Sequence, residues 1–183
     1  MAQALSYEIV NVVVTSSLGT RLDCAHIVRY TPNCEYDPQR FAALKHRVRV
    51  DGAVPTFLVF GSGKVVCVGS PSEMVARRAV NRFLDHLQNI GVRIYDRSVT
   101  VQNIVSHACL NFPINLRKLA QERWEHCHYE PELFPGLKCT LAGSVCNIFA
   151  SGKIVITGCT KTSQINCALA TVQSFIDDFY IRL

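Results

Sequence analysis

The sequence predicts an α+β protein built from two copies of one unit, each an antiparallel sheet with two helices. Three observations favour this fold class. The segment that begins at Val59 reappears 89 residues later at Ile148, and both copies contain Phe-x-Ser-Gly-Lys. Short glycine-containing turns separate the predicted strands, and such hairpins join antiparallel neighbours. Each copy supplies only two helical segments, which is few for covering both faces of a sheet.

The repeat extends along the whole chain. Asn11-Val12-Val13-Val14 corresponds to Asn103-Ile104-Val105-Ser106 at an offset of 92, and the segment 36–41 corresponds to 129–134 at an offset of 93. Offsets that drift indicate small loop insertions. Two copies are too few for a solenoid, so they predict a pseudo-symmetric pair with bounds at residues 1–92 and 93–183.

Each copy begins with a strand rich in β-branched residues, at 8–15 and 98–106, followed by a helical stretch at 20–30 and 115–126. Short strands come next. In the first copy, basic residues at 45, 47 and 49 alternate with His46, Val48 and Val50, which is typical of a strand with one solvated face. Asp51-Gly52 predicts a tight turn.

A long helix closes each copy. In the first, Ser70 is the expected N-cap, Pro71 the first helical residue and Glu73 the partner in a capping box, with Gly91 as the stop. Apolar residues follow at helical spacing and predict a face that covers the sheet. In the second copy this stripe is Ile165, Leu169, Val172, Phe175, Ile176 and Phe179.

The strands themselves leave two arrangements open. Residues 56–60 and 65–68 are apolar on both sides of the strand, a pattern typical of a parallel α/β sheet buried on both faces. The short hairpin turns favour an antiparallel sheet instead, which normally has one uncovered face. An apolar uncovered face would mark a binding surface.

Composition bounds the function. Hydrophobic residues make up 49% of the 183 residues and charged residues 18%, enough for a packed core. The formal charge of +5 suits a polyanion partner, and equally a soluble protein that happens to be basic. No apolar run approaches 18 residues and the N-terminus lacks a signal-peptide pattern, so we expect neither a membrane span nor secretion.

The cysteines and histidines suggest no cofactor. The nine cysteines are odd in number, form no C-x-x-C and often lie in apolar runs, which indicates reduced, intracellular thiols rather than a disulfide framework. His126-Cys127-His128 has the residue types of a metal site but not zinc spacing. Because no nucleophile–base pair or carboxylate pair is evident, we expect no enzymatic activity and no small-molecule substrate.

Several motifs resemble one known family. Val101-Gln102-Asn103-Ile104-Val105, the run Tyr129-Glu130-Pro131-Glu132-Leu133-Phe134-Pro135-Gly136-Leu137 and the paired Phe-x-Ser-Gly-Lys turns are similar to those of the TATA-box-binding protein family. The resemblance runs from about residue 9 to residue 179. It implies a pseudo-two-fold saddle, a curved ten-stranded antiparallel sheet with four helices on the convex face.

The resemblance also implies how such a saddle binds DNA. The concave face lies in the minor groove of A·T-rich DNA and bends it, with phenylalanines wedged between base steps. The positions that match are the wedges Phe41, Phe60, Phe134 and Phe149; the central amides Asn11 and Asn103; the base-contacting Val13, Leu58, Val66, Val68, Val105, Val155 and Thr157; and the phosphate-contacting Arg40, Arg47, Lys64 and Lys153.

The implied partners are A·T-rich duplex DNA and basal transcription factors in the nucleus. Glu130, Glu132 and Leu133 match the family's docking site for transcription factor IIB. The implied function is a transcription initiation factor. Val68 and Asn147 depart from the family's usual threonine and leucine. These departures keep an alternative open, an interaction module that holds basal factors with weak or altered DNA preference.

Overall fold

The backbone follows the same order of strands and helices twice. The computed structural model describes residues 5–122, 125, 127–141 and 143–176. The first pass contains β1 (Tyr7–Ser17), α1 (Cys24–Tyr30), β2 (Cys34–Glu35), β3 (Ala43–Arg47), β4 (Thr56–Phe60), β5 (Lys64–Ser70) and α2 (Glu73–Asn89). The second contains β6 (Thr100–Cys109), α3 (Leu116–Glu122), β7 (Cys127–His128), β8 (Leu137–Leu141), β9 (Ser144–Ile148), β10 (Lys153–Cys159) and α4 (Thr162–Ile176).

The chain divides into two compact units. One spans Val10–Gln102, and the other contains the described residues from Asn103 onward together with the start of β1 up to Ile9. The boundaries therefore fall inside β1 and β6 rather than in the connection between α2 and β6. The repeat bounds at 1–92 and 93–183 stay a prediction about the sequence.

Each unit contains antiparallel strands in an equivalent order. The first unit has the order β2-β3-β4-β5-β1 and the second β7-β8-β9-β10-β6. The tight turn predicted at Asp51-Gly52 is present, with positive φ at both residues. The strand before it ends at Arg47, yet the alternation of exposed and buried side chains continues to the buried Val50. Antiparallel pairing thus excludes the parallel α/β arrangement.

Helices cover one face of each sheet. α1 and α2 pack on the first unit's strands, and α4 packs on β8, β9 and β10. In β4 the buried residues Phe57 and Val59 alternate with half-exposed neighbours, and β9 has the same pattern. The core therefore lies between the helices and one row of strand residues, and the other row stays uncovered.

The start of α2 corrects the sequence prediction. Ser72, not Ser70, is the N-cap, and its hydroxyl accepts a hydrogen bond of 3.2 Å from the N–H of Val75. Ser70 is fully buried at the end of β5, where it pairs with Val12. Ser70 is therefore held in β5 by strand pairing, although its residue type would suit an N-cap. The predicted stop at Gly91 is correct, since α2 ends at Asn89.

Some predicted features lie outside the described residues. These are the side chains of Phe175 and Phe179 in the second apolar stripe, the residue Ala142 beside the second turn, and His126. Ile165, Leu169, Val172 and Ile176 are buried as predicted. In the described part of the chain no helix is long and apolar enough to cross a membrane.

The prediction of uniformly reduced cysteines is wrong at one pair. Cys127 on β7 and Cys139 on β8 are direct cross-strand neighbours and form a disulfide. The equivalent neighbours in the first unit are Cys34 and His46, which cannot form one. Other cysteines match the expected buried, apolar role: burial raises the pKa of Cys67 to about 11 and of Cys146 to about 12.

The disulfide gives a direct test by thiol counting. Seven of the nine cysteines are free in the structure. We therefore expect seven reactive thiols when the oxidised protein is denatured without reductant, and nine after reduction. Mass spectrometry of a tryptic digest should show Cys127 and Cys139 in one linked peptide. Nine thiols before reduction would contradict the assignment.

Candidate nucleic-acid interface

The uncovered sheet face of each unit, called here the open face, is apolar although none of the described helices packs on it. Along each strand its residues alternate with core residues, and they are half-exposed. In the first unit the open face contains Val13, Leu58, Phe60, Val66 and Val68, and in the second Val105, Val145, Asn147, Phe149, Val155 and Thr157. Contiguous apolar surface of this kind on a folded protein indicates a binding surface.

Each unit carries two phenylalanine rings at the end of its open face. The centroids of Phe41 and Phe60 lie 6.4 Å apart with planes at 63°, and those of Phe134 and Phe149 lie 5.8 Å apart at 67°. Phe41 is 42% exposed and Phe134 44%. These rings are not core residues, because a core ring such as Phe57 is fully buried.

The same backbone turn carries the exposed ring in both units. The N–H of Phe41 donates to the carbonyl of Asp37, and that of Phe134 donates to the carbonyl of Glu130, both at 2.9 Å. The partner ring lies on a strand edge, since Phe60 ends β4 opposite Ala43. Each pair therefore combines one ring fixed by a strand with one held by a short turn.

A glycine makes room for the second pair. A Cβ placed on the buried Gly136 would lie 2.7 Å from Phe134 Cε1 and 3.1 Å from Phe149 Cε1, closer than van der Waals contact allows. Ala43 holds the equivalent position in the first unit, 93 residues earlier, where the rings lie further apart. The closer approach of Phe134 and Phe149 thus depends on glycine.

Two asparagines are oriented by backbone hydrogen bonds. Asn11 Oδ1 accepts from the N–H of Gly69 at 2.7 Å, and Asn103 Oδ1 accepts from the N–H of Gly158 at 2.8 Å. Both glycines have φ of +84°, which favours glycine, and both lie at irregularities in strand pairing. Because only oxygen can accept from an N–H, each amide must turn its NH₂ group, a donor, the other way.

The two amides differ in one neighbour. Asn103 Nδ2 lies 3.2 Å from Thr157 Oγ1, so a side-chain hydroxyl supports it. Val68 holds the equivalent position in the first unit, and its side chain has no polar atom. The NH₂ group of Asn11 therefore has less support among the described residues than that of Asn103.

Basic side chains lie beside the open faces. Lys64 and Lys153 are exposed at the starts of β5 and β10, in register with the open-face rows. Arg47 is exposed at the end of β3. Arg40 adjoins Phe41 and makes an exposed ion pair of 3.6 Å with Asp37, which contributes little stability.

The proposed partner-docking residues lie on the turn before Phe134. Leu133 is 81% exposed, and Glu130 Oε1 lies 2.9 Å from His128 Nε2. Glu132 is exposed beside them. In the described residues no group of three or more His, Cys, Asp or Glu side chains could hold a metal ion.

All the base-contacting and wedge residues predicted from the sequence lie on the open faces or at their ends, and the predicted cations lie beside them. Sequence reasoning placed Lys45 on a solvated strand face but gave it no role at the site, and it did not single out Lys138 or Val145. Lys45 and Lys138 flank Leu58 and Asn147 in the strand pairing, and Lys45 Nζ lies 5.3 Å from the Phe41 centroid. The same period-two alternation, applied to the second copy, would have placed Lys138 and Val145 on the equivalent strand face.

The fold and this face suit a protein that binds a partner through an apolar sheet flanked by cations. A family model described as "Transcription factor TFIID (or TATA-binding protein, TBP)" matches residues 6–90 and 98–179. The TATA-box-binding protein of Acetabularia peniculus is 38% identical over 177 residues, covering 96% of this chain and 92% of that protein. The rat TATA box-binding protein-like 2 is 39% identical over 171 residues, 92% of this chain and 49% of that longer protein.

The solved structure of Methanococcus jannaschii TBP matches with a TM-score of 0.83 at 34% identity, covering 94% of this chain and 99% of that one. The chain therefore belongs to the TATA-binding protein family, a family of DNA-binding transcription factors and not of enzymes. The predicted fold class, two repeats with ten antiparallel strands and four helices, is confirmed by this match.

Gly136→Ala tests how the ring pair is positioned. The added methyl should push the Phe134 ring aside without unfolding the unit, because the clash is with a side-chain end and not with backbone. We expect altered ring-current shifts for Phe134 and Phe149 in NMR spectra and a stability loss of about 1–3 kcal/mol. Ala43→Gly is the matched control in the first unit and should leave these shifts unchanged. Unchanged shifts in Gly136→Ala would contradict the geometry.

Proposed function

We propose that this chain is a transcription initiation factor that binds the minor groove of A·T-rich promoter DNA with its open faces and bends the duplex by phenylalanine insertion. The observation that carries the proposal is the exposed phenylalanine pair in each unit. Phe41 and Phe134 expose more than two fifths of their surface to water. Inserted between base steps, the rings would bury this surface, and the burial offsets part of the cost of unstacking.

The chemistry of the open face suits the minor groove. There an A·T pair presents only acceptors, adenine N3 and thymine O2, whereas a G·C pair adds the guanine 2-amino donor. The outward NH₂ groups of Asn11 and Asn103 can donate to those acceptors. Val13, Val66, Val105 and Val155 have no acceptor to offer to a guanine amino group. This complementarity supports a preference for A·T pairs.

The cations suit the phosphates on either side of the groove. Arg40, Arg47, Lys64 and Lys153 would contribute affinity and salt dependence without reading sequence. The net charge of +5 supports the same partner. DNA deformability would add specificity, because flexible steps cost less to bend.

The exposed turn before Phe134 supports recruitment of a second protein. Glu130, Glu132 and Leu133 combine two carboxylates with an exposed leucine, a surface suited to a basic partner with an apolar pocket. We propose transcription factor IIB, or a factor like it, as the protein that docks here, with the nucleus as the site of action.

A second function is favoured by a specific observation. Val68 and Asn147 break the equivalence of the two open faces, while the turn with Leu133 stays exposed for a partner. In this alternative the chain holds basal factors and binds DNA with weak or altered preference. Gel shifts with TATA, scrambled A·T and G·C duplexes at two salt concentrations separate the two functions. Equal affinity for all three would favour the alternative.

Removing a wedge should impair DNA binding but not folding. We expect Phe134→Ala or Phe149→Ala to weaken binding to an A·T-rich duplex roughly tenfold or more and to reduce bending, because the ring no longer offsets unstacking. Bending is measured by energy transfer between dyes at the duplex ends. Phe57→Ala is the control, since truncating this core ring should destabilise the fold by about 3–5 kcal/mol. Intact bending with early thermal unfolding in Phe134→Ala would make Phe134 a core residue.

Removing a phosphate contact should act on all sequences alike. We expect Lys153→Ala or Arg47→Ala to lower affinity for A·T-rich and mixed duplexes equally, and to reduce the slope of log affinity against log salt by about one. Arg82→Ala removes the same charge from the exposed side of α2, the helix that packs on the covered face of the first unit, and should leave the slope nearly unchanged. A selective loss with an unchanged slope would contradict the assignment.

A further inference from the structure

Asn147 is an amide without a partner in an apolar surface. It is half-exposed on β9 between Val145 and Phe149, the open-face residues on either side of it along the strand. Among the described residues, no hydrogen bond of its side chain is present. Its carbonyl oxygen and its NH₂ group are therefore both available to a bound molecule.

The first unit provides an internal control for this position. Strand pairing places Asn147 between Lys138 on β8 and Val155 on β10. In the first unit, Leu58 lies between Lys45 on β3 and Val66 on β5. The flanking residues are a lysine and a valine in both units. Across the strands the two positions therefore have the same kinds of neighbour, a lysine and a valine, around a leucine in one unit and an amide in the other. Along the strand they differ, since Thr56 precedes Leu58 on the open face where Val145 precedes Asn147.

Asn147 also differs from the other open-face asparagines. The oxygens of Asn11 and Asn103 already accept backbone hydrogen bonds from Gly69 and Gly158, so it is mainly their NH₂ groups that remain to offer to a bound molecule. Asn147 lies in regular pairing with Val155 and has no such bond. Rotation of its amide can present either a donor or an acceptor.

This difference matters for guanine. Covered by Leu58, a guanine 2-amino group would lose its hydrogen bonds to water and gain none, which is the costly case for a buried donor. Covered by Asn147, the same group could donate to the amide oxygen. An A·T pair at that place could instead accept from the amide NH₂. A leucine rejects G·C, whereas an amide free to rotate accepts either pair.

We propose that Asn147 is a specificity-determining residue that makes the half-site under the second unit tolerant of G·C at the base pair it covers, whereas Leu58 keeps the other half-site restricted to A·T. The inference rests on the proposed minor-groove binding. It predicts a DNA site that is A·T-rich overall and that tolerates a G·C pair in one half but not in the other.

Competition binding with a scanned duplex tests this. Each A·T pair of a TATA-like site is replaced in turn by G·C, and affinities are measured for the wild type, Asn147→Leu and Leu58→Asn. For the wild type we expect one interior position where the replacement costs less than about threefold, against about fivefold to a hundredfold elsewhere. In Asn147→Leu that position should become as strict as the others. In Leu58→Asn a second tolerant position should arise in the opposite half.

Inosine identifies the group responsible, because it pairs with cytosine but lacks the 2-amino group. An inosine·C pair should restore binding at the strict positions and change nothing at the tolerant one. Both substituted residues are half-exposed, and thermal unfolding followed by circular dichroism checks that the variants fold. Should either variant fail to fold, the wild type and the other variant still decide the question.

The possible outcomes distinguish a failure of this inference from a failure of the proposed minor-groove binding. A·T-selective binding with the same G·C penalty in both halves, in the wild type and in both variants, would overturn the role of Asn147 alone. Binding without any preference for A·T-rich duplex would overturn the proposed function and this inference with it. A tolerant position that persists in Asn147→Leu would assign the tolerance to another residue and overturn the proposal.

Discussion

Two helices can cover only one face of a five-stranded sheet, and the rest of this structure depends on that constraint. Successive residues of a strand point to opposite faces of the sheet. Each strand therefore has one row of side chains on the face that the helices cover and one row on the open face. Phe57 and Val59 occupy the covered row, and Leu58 and Phe60 the open one. An antiparallel protein usually makes its open row polar. Here the row is mostly apolar, and burying it against a partner would remove that apolar surface from water.

Much of the fold could be predicted from local patterns, because alternation and turn residues are local. The exposure pattern from Lys45 to Val50 and the positive φ at Asp51-Gly52 both follow from the sequence. The predictions that were wrong concern features that depend on which strands pair with each other. Ser70 has the chemistry of a cap but is held in β5 by Val12. Cys127 and Cys139 are 12 residues apart in sequence, and only the pairing of β7 with β8 brings them together.

The candidate site was predictable in its residue types but not in its geometry. Repeat matching identified Phe134, Phe149 and Asn103, since the same types recur at the same places. It could not supply the backbone hydrogen bond from Gly158 that fixes which end of the Asn103 amide faces outward. Nor could it show that Asn147 has the same kinds of cross-strand neighbour as Leu58, a lysine and a valine, which the strand pairing supplies. The two units have an equivalent order of strands and differ in open-face side chains such as Leu58 and Asn147, and in the proposed function these differences set the preference for the target.

The disulfide changes the effect of proteolysis between residues 127 and 139. Residues 127–139 form a closed covalent ring, and the ring contains the whole turn that carries Glu130, Leu133 and Phe134. A protease that cut after Glu132 would open the loop but release no fragment, because the disulfide would still join the two pieces. The molecule would become a two-chain protein, with β7 on one chain and β8 on the other. In an oxidised molecule the exposed turn that carries Leu133 is thus one where a single cut does not separate the chain into two pieces.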